Sequence, residues 1–195
     1  MRPILSLLLV LIALPRCLAQ SYTPKAGETV VKIGIEGRGN VYVLLHMKEA
    51  PRTSARIAKL VGDGFYNGQR FHRVEQVPKP YLVQIGDPGS RTGDLSATGN
   101  GGTGVKIQYE DSGFKNVAGA VGLARGLEDK NSGDCQFYML LDRSSFLDGN
   151  YTVFGQVVAG MEVLKKIQWG DRVLSMTIER GSRAVQAQAG DRVLN

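Results

Sequence analysis

The sequence is short of the residues that covalent and metal enzymes depend on. It holds two histidines, His46 and His72, and two cysteines, Cys17 and Cys135, and none of their spacings resembles a zinc site. Cys17 lies in a segment expected to be removed, which leaves Cys135 alone and excludes an internal disulfide. Cys135 opens the apolar stretch Cys135-Gln136-Phe137-Tyr138-Met139-Leu140-Leu141, with no histidine nearby, so it reads as a buried structural thiol. Basic residues are scattered singly, without a run or interleaved aromatics, which argues against nucleic-acid binding. No serine stands in the G-x-S-x-G context that a serine hydrolase needs at a strand-to-helix turn.

Long apolar runs are also scarce, with one exception at the start. Ile4 to Leu14 is almost unbroken, follows Arg2, and leads to Cys17-Leu18-Ala19 ahead of Gln20. It is too short to span a bilayer comfortably, so residues 1–19 read as a signal peptide; an uncleaved anchor is the alternative. Arg16 before Cys17 fits poorly with a lipoprotein site. Removing residues 1–19 takes Arg2 and Arg16 and no acid, lowering the net charge from +6 to +4. The mature chain is expected to be exported, periplasmic or secreted, and not membrane-bound.

What is abundant is glycine, 25 residues in 195, which favours turns and strands over a helical bundle. Residues 20–29, with Pro24 and Gly27, read as an N-terminal arm. Val30–Ile35 and Val41–Leu45 flank the turn Gly37-Arg38-Gly39-Asn40 as a β-hairpin. Pro51 opens a helix whose Ile57, Leu60 and Val61 share a face, stopped by Gly62 and Gly64. Further strands are expected near 70–75, 81–85, 105–109, 119–124, 135–141, 151–158 and 173–179, with a second helix over 161–168. About eight strands and two helices point to a mainly β fold, a closed eight-stranded antiparallel barrel with two capping helices. The expected domain spans 30–180, and 181–195 reads as a polar tail.

Between 86 and 104 lies a glycine-rich loop in which Gly99-Asn100-Gly101-Gly102-Thr103-Gly104 matches G-x-G-x-x-G. A dinucleotide site requires a helix after that motif. Val105-Lys106-Ile107-Gln108-Tyr109 reads as a strand instead, so the nucleotide reading fails.

Four segments stand out in order: Phe71-His72-Arg73-Val74, Gln84-Ile85-Gly86-Asp87-Pro88, Cys135-Gln136-Phe137-Tyr138-Met139, and Phe146-Leu147-Asp148-Gly149-Asn150-Tyr151-Thr152-Val153-Phe154-Gly155. Together they resemble the cyclophilin family of peptidyl-prolyl cis–trans isomerases, over roughly residues 30–180. The resemblance implies Arg73 as the central catalytic donor, with Gln84 bonding the substrate backbone. It implies a proline pocket of Phe71, Leu82, Tyr138 and Leu147, and a groove lined by Tyr81, Ala124, Gln136, Phe146 and Tyr151. His72 is expected to turn away from the groove. No cofactor is implied, the partners are proline-containing polypeptides, and a monomer is the default.

The chemistry suits those residue types. Amide resonance sets a rotation barrier of about 18–20 kcal/mol, and lowering it needs neither nucleophile nor metal. A pocket must grip the proline ring while a fixed donor stabilises the twisted amide, whose nitrogen regains a lone pair. A guanidinium stays charged and offers several rigid donors. The same barrel could instead serve as a non-catalytic proline-peptide binder or chaperone, although binding alone would not require a donor at the twisted amide.

The departures from the family pattern carry expectations of their own. Phe146 stands where Trp is frequent and lacks the indole N–H, which implies weakened cyclosporin binding. Tyr138 replaces the usual Phe, Tyr151 a His, Arg125 an Asn, Leu82 a Met, and Ile85 a Gly.

Overall fold

The computed structural model describes residues 21–182; the signal-peptide reading of 1–19 and most of the tail, 183–195, lie outside the described residues. Eight strands appear in chain order as β1 (Thr29–Ile35), β2 (Gly39–Leu45), β3 (Arg73–Glu75), β4 (Leu82–Ile85), β5 (Ala120–Leu123), β6 (Phe137–Leu140), β7 (Val153–Ala159) and β8 (Val173–Arg180). Helix α1 spans Pro51–Gly62 and α2 spans Met161–Leu164. The pairings between these strands are antiparallel, in the order β3-β4-β6-β5-β7-β2-β1-β8.

The sheet curls into a half-barrel, and the expected closed barrel needs correcting. The edge strands β3 and β8 form no ladder with each other. A lone bridge, Arg70 to Arg172, spans the seam, helped by backbone bonds from Phe71 to Asp171 (3.0 Å) and from Val173 to Gln69 (2.9 Å). These bonds join the segment before β3 to the start of β8, so β3 itself has no partner on that side.

Alternation fills the inside of the curl. Val31, Ile33 and Ile35 of β1, Val83 and Ile85 of β4, and Phe137 and Met139 of β6 all point into one core. Helix α1 adds Ile57, Leu60 and Val61, and Leu164 of α2 joins them. Ala50, just before α1, offers no side-chain cap. Glu110 supplies it from a distance, accepting from the Arg52 N–H (2.9 Å), the Thr53 N–H (2.8 Å) and the Thr53 hydroxyl (2.7 Å). The arm is tied down as well: Ala26 bridges Gly181, and the Tyr22 hydroxyl donates to Glu28 at 2.7 Å.

The strand expected over 105–109 does not form. Only Ile107 pairs, through an isolated bridge to Gly133. Side chains take the neighbouring donors instead: Asp134 accepts from the N–H groups of Thr103 and Gly104, and Asn131 from that of Tyr109. The second helix is also shorter than the expected 161–168.

Candidate functional site

One row of side chains crosses four strands on the outer face of the curl. The register sets Arg73 opposite Gln84, Gln84 opposite Tyr138, and Tyr138 opposite Gly122. Strands lie about 4.8 Å apart, so the backbones of Arg73 and Tyr138 are separated by roughly 10 Å. Two residues along the strands, Leu82 pairs with Leu140 on the same face. Loops fold over this patch and bury Leu82, Ala120, Tyr138, Leu140, Leu147 and Val153 as a second apolar cluster. Tyr81, Ala124 and Tyr151 pack half-buried around it. Phe146 completes the rim at 69% exposure, its ring 5.8 Å from that of Tyr81.

Gly122 makes room for the floor. A Cβ there would lie 2.1 Å from Cζ of Tyr138, so only glycine lets that ring rest against β5. The Tyr138 hydroxyl donates to Oδ1 of Asn116 at 2.7 Å, and burial pushes its pKa far up, so it stays a neutral donor. The extra hydroxyl relative to the family pattern is therefore satisfied inside the protein.

A chain of amides orients the guanidinium. The Gln136 side-chain N–H group donates to the carbonyls of Gly99 (2.9 Å) and Gly101 (2.8 Å), which fixes which way its amide faces. Its oxygen then accepts from Gln84 Nε2 at 2.9 Å and meets His72 Nε2 at 3.1 Å, so His72 carries its proton on Nε2. Gln84, oriented in turn, accepts from Nη1 of Arg73 at 3.3 Å. Glu75, two residues on in β3, takes Nε and Nη2 of Arg73, each at 2.6 Å. Arg73 remains 46% exposed in its side chain, so its outer edge faces solvent.

His72 is buried behind the amide chain, against Gln136, and is held neutral. Burial lowers its pKa, opposed by the Asp87 charge and the bond to Gln136. Cys135 is fully buried, donates to the Gly86 carbonyl at 3.2 Å, and has its pKa pushed up to about 12, chiefly by burial. It is not a nucleophile in this state.

Beyond Gln84 opens a polar cleft of about 470 Å³ between the 99–104 loop and Ala124–Gly126. Carboxylates of the chain take four of the loop's N–H groups: Asp87 accepts from Gly99 (2.6 Å) and Gly101 (2.8 Å), and Asp134 from Thr103 and Gly104. With those donors bound to carboxylates and no helix after the motif, the loop is not a dinucleotide site. Arg125, at the edge of this cleft, spends its donors on the carbonyls of Asn150, Gly126 and Leu127 and lies 4.5 Å over the Tyr151 ring.

The structure thus gathers Arg73, Gln84, Leu82, Tyr138 and Leu147, with Tyr81, Phe146 and Tyr151 at the rim and Gln136 and Ala124 beside the polar cleft. Phe71 does not join them. It is fully buried in the barrel core with Val83 and Ile85, because the seam bonds at Phe71 turn its side chain inward. Sequence reasoning missed Asn116, Gly122 and Glu75. A two-residue period from Arg73 would have pointed to Glu75; the other two had no local signal.

Residues 30–183 match the family model described as cyclophilin type peptidyl-prolyl cis-trans isomerase/CLD. The chain belongs to the cyclophilin-type peptidyl-prolyl cis–trans isomerase family. Its reaction is rotation about X-Pro peptide bonds. A "Probable peptidyl-prolyl cis-trans isomerase" of Brucella suis is 35% identical over 154 residues, covering 76% of each chain. "Peptidyl-prolyl cis-trans isomerase B" of Bacillus subtilis is 32% identical over 145 residues, covering 74% of this chain and 94% of that one. In fold, it resembles a cyclophilin type isomerase of Cryptosporidium parvum with a TM-score of 0.68 at 21% identity, covering 80% of this chain and 99% of that one. Every cyclophilin site residue discussed above falls within the matched region.

Proposed function

We propose that Arg73 is the donor that stabilises the twisted X-Pro amide, with the proline ring seated over Leu82, Tyr138 and Leu147. The observation that carries this reading is a guanidinium fixed by Gln84 and Glu75 at the border of an otherwise apolar, buried floor. Gln84 holds its oxygen toward Arg73, and the pair presents donors to a substrate carbonyl or to the pyramidal nitrogen. Tyr81, Phe146 and Tyr151 exclude water around the ring. Stabilising the twisted state more than either planar isomer is what accelerates the exchange. A solved Cryptosporidium parvum relative was crystallised in the presence of the dipeptide Ala-Pro, which supports a small proline-containing ligand for this fold.

The test is isomerisation of an Ala-Pro tetrapeptide by wild type and by Arg73→Ala. Loss of one preorganised donor removes on the order of 10²–10³-fold of activity in comparable sites. A loss of that size with the fold retained supports the assignment. Unchanged turnover overturns it, and peptide binding without any turnover in wild type identifies a proline-peptide binder.

We further propose that the clients are exported polypeptides, supported by the apolar run Ile4 to Leu14. Uncatalysed prolyl exchange lasts tens of seconds, long enough to delay folding after export. N-terminal sequencing of the mature protein from extracytoplasmic fractions checks this; a chain retaining residues 1–19 in the cytosol refutes it.

A further inference from the structure

Beside the apolar floor lies a second cleft of about 330 Å³, lined by Phe146 and by Tyr81, which also packs against the floor. One wall is the loop between β3 and β4, the other the segment Asp142–Phe146. We propose that this cleft is a specificity subsite that takes a bulky apolar or aromatic side chain of the same polypeptide whose proline occupies the floor. This inference rests on the functional reading above.

Both walls are anchored where they leave the sheet. The Tyr81 N–H donates to the Glu75 carbonyl at 2.9 Å, and Gln76 Nε2 bonds the carbonyls of Lys165 and Ile167. Opposite, the Ser144 N–H donates to the Asn116 carbonyl at 2.8 Å. Between those anchors the loop projects Val77, Pro78 and Pro80, and two of these three have no N–H to offer. Val77 is 89% exposed and faces the same cleft as Phe146. Large apolar side chains left this open beside a binding site mark a surface that is covered when ligand is bound.

Continuity names the occupant. Tyr81 lines the cleft and also packs on the floor, with Phe146 beside it, so the two sites are contiguous through this ring pair. The two sites share this ring pair as a wall, and an extended chain advances about 3.3 Å per residue, so a side chain about two residues from the proline is the first that can reach past the rings. Charge gives no competing preference. Glu75 and Asp142 are balanced by Lys79 and Arg143 on the same walls. The walls therefore select on apolar size.

The experiment compares octapeptides carrying Phe or Gly two residues from the proline, on either side, with an Ala-Pro tetrapeptide. Wild type is expected to favour Phe over Gly at one of the two positions by roughly fivefold to tenfold in KM. Val77→Asp is expected to erase that preference while leaving tetrapeptide turnover unchanged; at 89% exposure the change does not threaten the fold. Equal KM for the Phe and Gly peptides in wild type, or a preference that survives in Val77→Asp, overturns the subsite. If wild type turns over no peptide, the catalytic reading fails separately, and methyl NMR decides the cleft: Val77 methyl shifts with the Phe octapeptide and not the Gly one support it, and equal responses refute it.

Discussion

At the scale of single residues, the site depends on contacts that are invisible one side chain at a time. Gly122 is the clearest case, since a methyl group there would meet the Tyr138 ring at 2.1 Å. Gly122→Ala is expected to push Tyr138 off β5 and break its bond to Asn116, costing about 1–3 kcal/mol and lowering peptide turnover. Chemical denaturation beside tetrapeptide kinetics checks both; an unchanged midpoint and rate would mean that the ring adapts freely. Phe146→Trp tests the rim. It restores an indole N–H at an exposed position, so cyclosporin inhibition is expected to tighten severalfold, measured by competition against peptide turnover. Unchanged inhibition would show that another departure, such as Arg125, sets the affinity.

At the scale of elements, the dependence of α1 on a distant carboxylate is a matter of stability. Ala50 gives the helix no cap, and Glu110 accepts three hydrogen bonds at its first turn while only 7% exposed. Glu110→Ala is expected to destabilise the protein by about 2–3 kcal/mol, and Glu110→Gln by less, because the amide oxygen still accepts. Equal effects of the two changes would rule out the capping account. The helix itself was legible, since Pro51 and the spacing of Ile57, Leu60 and Val61 are local signals. Its cap was not, because nothing near Pro51 announces a residue 59 positions later. The segment 105–109 shows the converse: its alternation reads as a strand, but the side chains of Thr103 and Asn131 take the N–H groups of Val105 and Tyr109 at its two ends.

At the scale of the whole molecule, the buried histidines and carboxylates favour neutral over acidic conditions. His46 and His72 have folded-state pKa values below the usual 6.5, burial being the leading cause, opposed by Glu49 and by Asp87 respectively. A lowered histidine is stabilising above its unfolded value and loses that contribution as pH falls below about 6.5. Burial raises the carboxyls of Asp87 and Glu110, but the hydrogen bonds they accept outweigh it and hold both below the usual range. Their contribution is present above about 4 and is lost as pH falls further. The melting temperature is therefore expected to decline in two stages from pH 7.5 to 3. Replacing both histidines with Gln should remove the first stage; if that stage persists, other groups carry it.

The amino-acid order by itself determined the strands and helices with strong local period, the glycine turns, and the four segments that carry the family resemblance. It also placed Arg73 and Gln84 at the centre of the expected site, because those residues are recognisable where they stand. Only the tertiary structure decided which faces they share. Phe71 went to the core, Gly122 and Asn116 came to the floor, Glu75 came to the guanidinium, and the barrel stayed open between β3 and β8. Those outcomes depend on register and on pairing between residues far apart in sequence. A one-residue slip in a strand reverses every side chain, and no local pattern records which slip was avoided.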